Sequence, residues 1–377
     1  ILMAGIYIHF PFCRQACDYC NFYFSTKMKN KEDLIISLKK EIDLRHHELV
    51  ADALESIYFG GGSPSIMSLK EVDSIISKIQ QKFFISNKTE ITLEVNPDDV
   101  SREYIKGLKK IGINRLSIGV QSFLEKDLLM MNRNHSSIQS LKALEIVSEI
   151  FENYSVDLIY GIPGTSIKDF VYNIEKALEF EPKHFSCYAL TVEPKTVLNH
   201  KVKNKTILMP VDHLVKKQFD KMISIFEGKR YLHYEISNFA QSNYQSINNS
   251  NYWLGKPYLG IGPSAHSFDG NFRRSWNISS TKGYLKSINN GELPLDGENL
   301  KISESYNEYI MLSLRTSSGI SIQKIERKFG NAYLKYLKKQ IKKHIDSKLL
   351  CLDGDTIRIT SDGKFLSDKI ASDLFKL

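Results

Sequence analysis

The sequence predicts an α/β protein. Its main part is a partial (β/α)6 barrel of parallel strands, followed by a small C-terminal helical domain with a winged-helix-like hairpin. Three observations carry this. Short apolar strands alternate with amphipathic helices through the first half of the chain. The alternation weakens from about residue 200 to 300, where Tyr, Asn, Ser, Gly and Pro become dense. From about residue 301 helices return and end in a hairpin signal. Strand–helix alternation favours parallel strands, because a parallel pair needs a long crossover and a helix supplies it. Six such units suggest an open ring rather than a closed eightfold one.

The predicted strands are 6–10, 56–59, 91–96, 115–120, 155–159 and 185–190, each short, apolar and followed by polar or Gly-rich residues. The helices between them are 33–49, 69–83, 102–110, 138–150 and 167–180. In the first, Leu34, Leu38, Ile42 and Leu49 form one stripe. In strand 91–96, Ile91, Leu93 and Val95 share a face and Thr92, Glu94 and Asn96 share the other. With helices outside, the apolar face meets them and the polar face lines the interior. By the same alternation the interior receives Tyr7, His9, Gln121 and Asp157. Long loops around short elements are expected over 201–300, covering a site. The C-terminal domain, 301–377, is expected to hold helices at 304–314, 322–329 and 332–344. A hairpin of 349–352 and 356–360 around Asp353-Gly354-Asp355 follows, then a last helix at 367–375. The barrel is assigned to 1–200.

Composition narrows the class. The chain has 377 residues, 42% hydrophobic and 25% charged, which suits a globular protein and excludes a disordered tail, a collagen or a coiled coil. Apolar runs are far too short for a transmembrane helix, and the first residues carry no basic leader, so a cytoplasmic protein is expected. The net charge of +8 is mild and favours anionic partners. Basic residues thicken near the end, from Lys324 to Lys343, but no nucleic-acid motif accompanies them, so nucleic acid is not an expected partner. A zinc-stabilised nucleic-acid binder is the competing reading from another class, and it would leave Glu94, Gln121 and Asp157 without a role.

Five cysteines are present, and Cys13, Cys17 and Cys20 fall on one loop after the first strand. This pattern fits a metal or cluster site in a reducing compartment, not a disulfide framework. A structural zinc site wants four closed ligands, and no fourth Cys or paired His follows at finger spacing. His9 is a candidate fourth ligand but sits in the strand. Three thiolates on C-x3-C-x2-C suit a [4Fe–4S] cluster with one iron left open for a ligand. Cys187 and Cys351 read as buried structural thiols. Gly60-Gly61-Gly62-Ser63-Pro64 follows the second strand, where consecutive glycines let the backbone approach a polar ligand.

The cysteine loop resembles the signature of the radical S-adenosylmethionine (SAM) superfamily. Its surroundings, Tyr7-Ile8-His9-Phe10-Pro11-Phe12-Cys13 and Cys20-Asn21-Phe22-Tyr23, are similar to the oxygen-independent coproporphyrinogen III oxidase family and, within it, to the haem-chaperone (HemW) branch. Gly161-Ile162-Pro163-Gly164, Tyr234-Glu235-Ile236-Ser237-Asn238-Phe239-Ala240 and the segment from Tyr258 to His266 look like further blocks of that family. The resemblance implies a [4Fe–4S] cluster on Cys13, Cys17 and Cys20. It implies SAM contacts at Tyr7, Tyr19, Gly61, Gly62, Ser63, Glu94, Gln121, Arg133, Asp157 and Ala189. It also implies reductive cleavage of SAM with a one-electron donor protein, haem or a porphyrin as bound cargo, and a haem-accepting respiratory protein as recipient. Two departures bear on the branch. The oxidase proper has a fourth cysteine two residues after the third; here Phe22 stands there, which favours the chaperone over radical decarboxylation of two propionates to vinyls. The chaperone branch commonly shows His-Asn-x-x-Tyr-Trp; here Asn248 stands in place of the His, and His266 or His9 are the substitutes for an iron ligand.

Overall fold

A computed structural model describes residues 3–49 and 53–376. Six strands repeat the predicted alternation: β1 (Met3–Phe10), β2 (Ala53–Gly61), β3 (Ile85–Val95), β4 (Arg115–Gln121), β5 (Tyr154–Tyr160) and β6 (His184–Ala189). Each pairs in parallel with the next, with Tyr7 opposite Tyr58, Glu94 opposite Ser117 and Asp157 opposite Ser186. The helices between them are α1 (Lys31–Arg45), α2 (Leu69–Gln80), α3 (Arg102–Lys110), α4 (Glu125–Met130), α5 (Ser137–Ile150) and α6 (Ile167–Leu178). Three start on capping boxes, Ser68 with Glu71, Ser136 with Gln139 and Ser166 with Asp169, where side chains satisfy the orphan amides of the first turn.

The strand alternation is realised as burial. Ile6, Ile8, Leu93, Leu116, Ile118, Val120, Val156 and Leu158 turn outward and are buried under Leu34, Leu38, Ile42, Ile75, Ile79, Ile105 and Leu108 of the helices. The polar partners of each strand are thereby left on the inner face, at the C-terminal ends where sites of such barrels lie.

Residues 201–300 are more regular than their composition suggests. After α7 (Val197–Lys203) comes the long helix α8 (Asp212–Gly228). It is followed by β7 (Leu232–Glu235), β8 (Asn238–Ala240), α9 (Ile247–Leu254), β9 (Tyr258–Ile261), β10 (His266–Phe268), β11 (Arg273–Asn277), α10 (Thr281–Asn289) and β12 (Leu295–Asn299). These strands extend the six at both edges into one sheet of order β12-β11-β10-β9-β1-β2-β3-β4-β5-β6-β8-β7. β9 joins β1 in parallel; β8 closes on β6 antiparallel.

One buried polar knot fastens this segment to the barrel. Arg45 and Glu41 of α1, both fully buried, pair at 2.8 Å. Glu41 also accepts from Tyr284 Oη (2.6 Å), Asn277 Nδ2 (2.7 Å) and the Gly262 amide (2.8 Å), while Arg45 donates to the Gly260 carbonyl (2.9 Å). Every partner of the buried carboxylate is thus a donor, as burial of a charge requires.

The C-terminal part has its own core, from Tyr306 to Leu374, between α11 (Ile302–Leu314), helices Ile322–Phe329, Asn331–Asp346 and Ser367–Asp373, and a three-stranded antiparallel sheet holding Ile320–Ser321, Thr356–Ile359 and Leu350–Asp353. Cys187 is buried in β6, as expected. Cys351 is not: it is exposed on the outer strand of this small sheet, where the alternation that buries Leu350 turns its neighbour outward. No helix among the described residues is long and apolar enough to cross a membrane.

Candidate cluster and nucleotide site

The cysteine loop leaves β1 through Phe10 and Phe12, whose rings pack edge to face at 5.3 Å and are buried. Backbone bonds close the loop on itself, Cys13 N to Ser25 O (3.0 Å) and Ser25 N to Pro11 O (2.7 Å). Its middle is tied to the turn after α4: Asp18 N donates to Met131 O (3.1 Å) and Asn132 Nδ2 to Ala16 O (2.8 Å). Lys201 of α7 pairs with Asp18. A loop without regular structure is thus held at several points, and Cys13, Cys17 and Cys20 stand half-buried on the wall of one cavity of about 690 Å³.

The glycine loop after β2 is pressed against the cysteine loop. Gly62 N donates to Phe10 O (2.7 Å) and Ser63 N to Phe12 O (2.8 Å). A Cβ on Gly62 would lie 2.6 Å from Phe12 O, and one on Gly61, whose φ is +108°, would lie 2.7 Å from the His9 ring. Only glycine permits this approach and this backbone. The hydroxyl of Ser63 accepts from Asn96 Nδ2 at 2.7 Å.

Arg133 links the parts. It donates to Cys17 Sγ (3.3 Å), to Asn96 Oδ1 (2.8 Å) and to Gly119 O (3.1 Å), and its Nε is buried with no partner. Gln121 ends β4 with φ +66° at a register shift, which turns its amide toward the same space. On the floor, Glu94 accepts from Tyr58 Oη (2.8 Å), and Asp157 accepts from Ser117 (2.9 Å) and Ser155 (3.0 Å). Burial raises both carboxyls, Glu94 to about 7, and the Asp157 charge adds to the rise at Glu94.

All the residues expected to hold the cluster or SAM line this cavity except Tyr7. Tyr7 lies one layer behind, its ring 3.1 Å from where a Cβ on Gly60 would stand and its hydroxyl 3.1 Å from His9 Nδ1. The other His9 nitrogen, Nε2, meets Tyr23 O at 2.9 Å, so His9 is a packing residue rather than a ligand. Asn248 is buried in α9, its amide 3.1 Å from Glu90, away from the cavity. Several wall residues carry no sequence signal of their own: Tyr58 and Arg115 from the strands, and Arg315 and Lys364 from the C-terminal core, whereas Ser117 is visible on the polar side of the β4 alternation. Asn96 was visible as the polar end of the β3 alternation, and its double role toward Ser63 and Arg133 shows only in three dimensions.

The residues fit the groups they would hold. Among the described residues no three His, Cys, Asp or Glu side chains close around a single ion. A cube differs from an ion in taking each thiolate on a separate iron, so it needs sulfurs further apart. Burial raises Cys13 to about 11 and raises Cys20, and a metal centre bound there would take both as thiolates and displace their protons. Beside the sulfurs lie the Gly61–Gly62 backbone, an unpartnered guanidinium N–H and two carboxyls, a donor and acceptor set suited to an amino acid joined to a nucleoside.

A partial parallel barrel with a three-cysteine loop at its mouth defines a radical SAM protein. Family models agree: Radical SAM superfamily matches residues 7–177, and HemN C-terminal domain matches residues 303–366. The fold superposes on coproporphyrinogen III oxidase (HemN) from Escherichia coli with a TM-score of 0.85 at 21% identity, covering 99% of this chain and 90% of that one. The chain is 31% identical to the heme chaperone HemW of Bacillus subtilis (strain 168), over 98% of each chain. It is also 31% identical to heme chaperone HemW of Lactococcus lactis, over 97% of this chain and 95% of that one. The chain belongs to the HemW family of radical SAM proteins.

Proposed function

We propose that the protein binds a [4Fe–4S] cluster through Cys13, Cys17 and Cys20, binds SAM beside it, and carries haem to a haem-dependent respiratory protein in the cytoplasm. The observation that carries this is convergence: the cysteine loop, the glycine loop, Arg133 and the Glu94–Asp157 floor meet on one cavity wall. When bound, a reduced cluster and SAM supply one-electron cleavage of a sulfonium carbon–sulfur bond. The chain's own part is to hold and shield them. Gly61 and Gly62 let the backbone approach the amino-acid end of SAM, Ser63 and Arg133 present donors to it, and Glu94, Gln121 and Asp157 face its nucleoside end. Tyr19 and Ala189 cover the sides, and Tyr7 supports Gly60 from behind. An electron-donor protein must reach the loop from outside.

The oxidase reading, radical decarboxylation of porphyrin propionates, is weakened at one position. Phe22, where the oxidase has its extra cysteine, is 68% exposed at the cavity mouth and offers no ligand. Anaerobic reconstitution decides between the two. The chaperone reading expects stoichiometric iron and sulfide, a haem-dependent Soret band, and no vinyl product from coproporphyrinogen III with SAM and a reductant. Vinyl product at enzymatic turnover would overturn it.

A further inference from the structure

A second cavity, of about 590 Å³, lies where α9, β9–β12 and helix α11 meet. Its volume is within the range of small-ligand sites. Its walls are aromatic and apolar: Tyr252, Tyr258, Phe268, Trp276 and Met311, with His266 among them. The cysteine loop contributes nothing to it, so it is separate from the site described above.

His266 stands apart from the other histidines. His9, His135, His184 and His233 have ring nitrogens engaged by backbone or side-chain partners in the interior. His344 faces Asp373. His46, His47, His200 and His213 stand on helical surfaces outside both cavities. His266 alone lines a cavity with no hydrogen-bond partner on either ring nitrogen among the described residues. Its ring is braced rather than loose: Trp276, opposite it on the next strand, stacks at 5.7 Å with the planes 29° apart. The rest of the wall is rigid too. Tyr252 meets Tyr258 edge to face at 4.6 Å. The Arg274 guanidinium covers Phe268 at 4.6 Å and is held in a two-pronged pair with Glu308 of α11, both contacts 2.8 Å.

A flat, hydrophobic ligand with a metal at its centre matches this set: aromatic walls for its faces and one free imidazole nitrogen for the metal. The only free carboxylate of the wall, Glu298, and the paired state of Arg274 make the cavity a poor trap for an anion, so the ligand's own carboxylates belong at the open rim in water. That suits a cargo that must leave again. We propose that this cavity is the haem site of the protein, with the His266 imidazole as axial ligand of the iron. The proposal rests on the haem-carrying reading above and adds to it the place and the ligand.

The test titrates ferric haem into the cluster-loaded full chain and follows the Soret band. His266→Ala is expected to bind about tenfold or more weakly, with a displaced band that added imidazole restores. Metal-free protoporphyrin IX, which has no iron to ligate, is expected to bind wild type and His266→Ala alike. Met311→Trp, which fills the cavity from the α11 side and keeps the histidine in the sequence, is expected to lose both ligands. His213→Ala, a surface control, is expected to bind as wild type. Unchanged cluster content and circular dichroism certify the folded state of each variant. Wild-type affinity and band position in His266→Ala, or wild-type binding in Met311→Trp, would overturn the site and leave the chaperone reading standing. Absence of haem binding by the wild type would overturn both.

Discussion

The contact between the glycine loop and the cysteine loop is the tightest backbone approach at the site, and Gly62→Ala probes it directly. The added methyl would stand 2.6 Å from Phe12 O, 2.8 Å from Pro11 C and 2.9 Å from Phe12 C, all backbone atoms that no rotamer change can move aside. The loops must separate, and the bonds from Gly62 N to Phe10 O and Ser63 N to Phe12 O lengthen with them. Overpacking of this kind costs about 1–3 kcal/mol, a sizeable part of a typical folding stability. The matched control is Gly228→Ala at the end of α8, where a Cβ would meet nothing within 4 Å. There the change is expected to be neutral or to add up to about 1 kcal/mol, since alanine loses less backbone freedom on folding. Anaerobic urea unfolding of the two variants beside wild type measures the stabilities, and equilibrium dialysis measures SAM binding. Gly62→Ala should unfold at lower urea and bind SAM at least several-fold more weakly, while Gly228→Ala does neither. A Gly62→Ala protein with the wild-type midpoint and wild-type SAM affinity would refute the packed-loop account.

Three further outcomes follow from buried charge and from the thiols. Burial raises the Glu94 carboxyl from its ordinary 4.5 to about 7, so the folded chain holds a proton there that the unfolded chain has released. The sign is therefore that stability present below about pH 4.5 is lost as pH rises through 7, by about 3 kcal/mol for a dry group and nearer half that beside an open cavity. Unfolding midpoints of wild type and Glu94→Gln at pH 5 and pH 8 should diverge in that direction, and parallel curves would contradict it. Arg45→Met leaves Glu41 buried without a counter-charge and should cost about 3–5 kcal/mol, with partial recovery in Glu41→Gln/Arg45→Met, measured by urea unfolding of the single and double variants. A loss below about 1 kcal/mol would show that Tyr284, Asn277 and Gly262 alone satisfy the carboxylate. Cys17→Ala should remove the brown colour and the bound iron while circular dichroism stays that of the wild type; full iron content would contradict the ligand assignment.

The barrel was legible because its information is local. Leu93 and Val95 alternate with Glu94 and Asn96, and that period alone places a carboxylate on the inner face. The helix starts at Ser68, Ser136 and Ser166 carry their capping partners three residues on. The cysteine spacing and the glycine triplet sit next to the strands that position them. What was not legible is what depends on distant pairing. β9 is four residues long in a segment rich in Gly and Pro, and nothing near Tyr258 says that it pairs with β1, some 250 residues away. The knot around Glu41 joins α1 to Gly262, Asn277 and Tyr284, and no residue of it is informative alone. Arg315 and Lys364 reach the main cavity only because the C-terminal core packs beneath it. Cysteines are usually buried, but strand alternation decides the side of Cys351 and leaves it exposed.

A cube held by only three thiolates would leave its fourth iron for SAM. Electron paramagnetic resonance of the reduced, anaerobically reconstituted chain, recorded with and without SAM, tests it. The expected result is about four irons per chain and a cluster signal that changes on SAM addition, because a new ligand reaches an iron. An iron-free chain, or a cluster signal that saturating SAM leaves untouched, would contradict it.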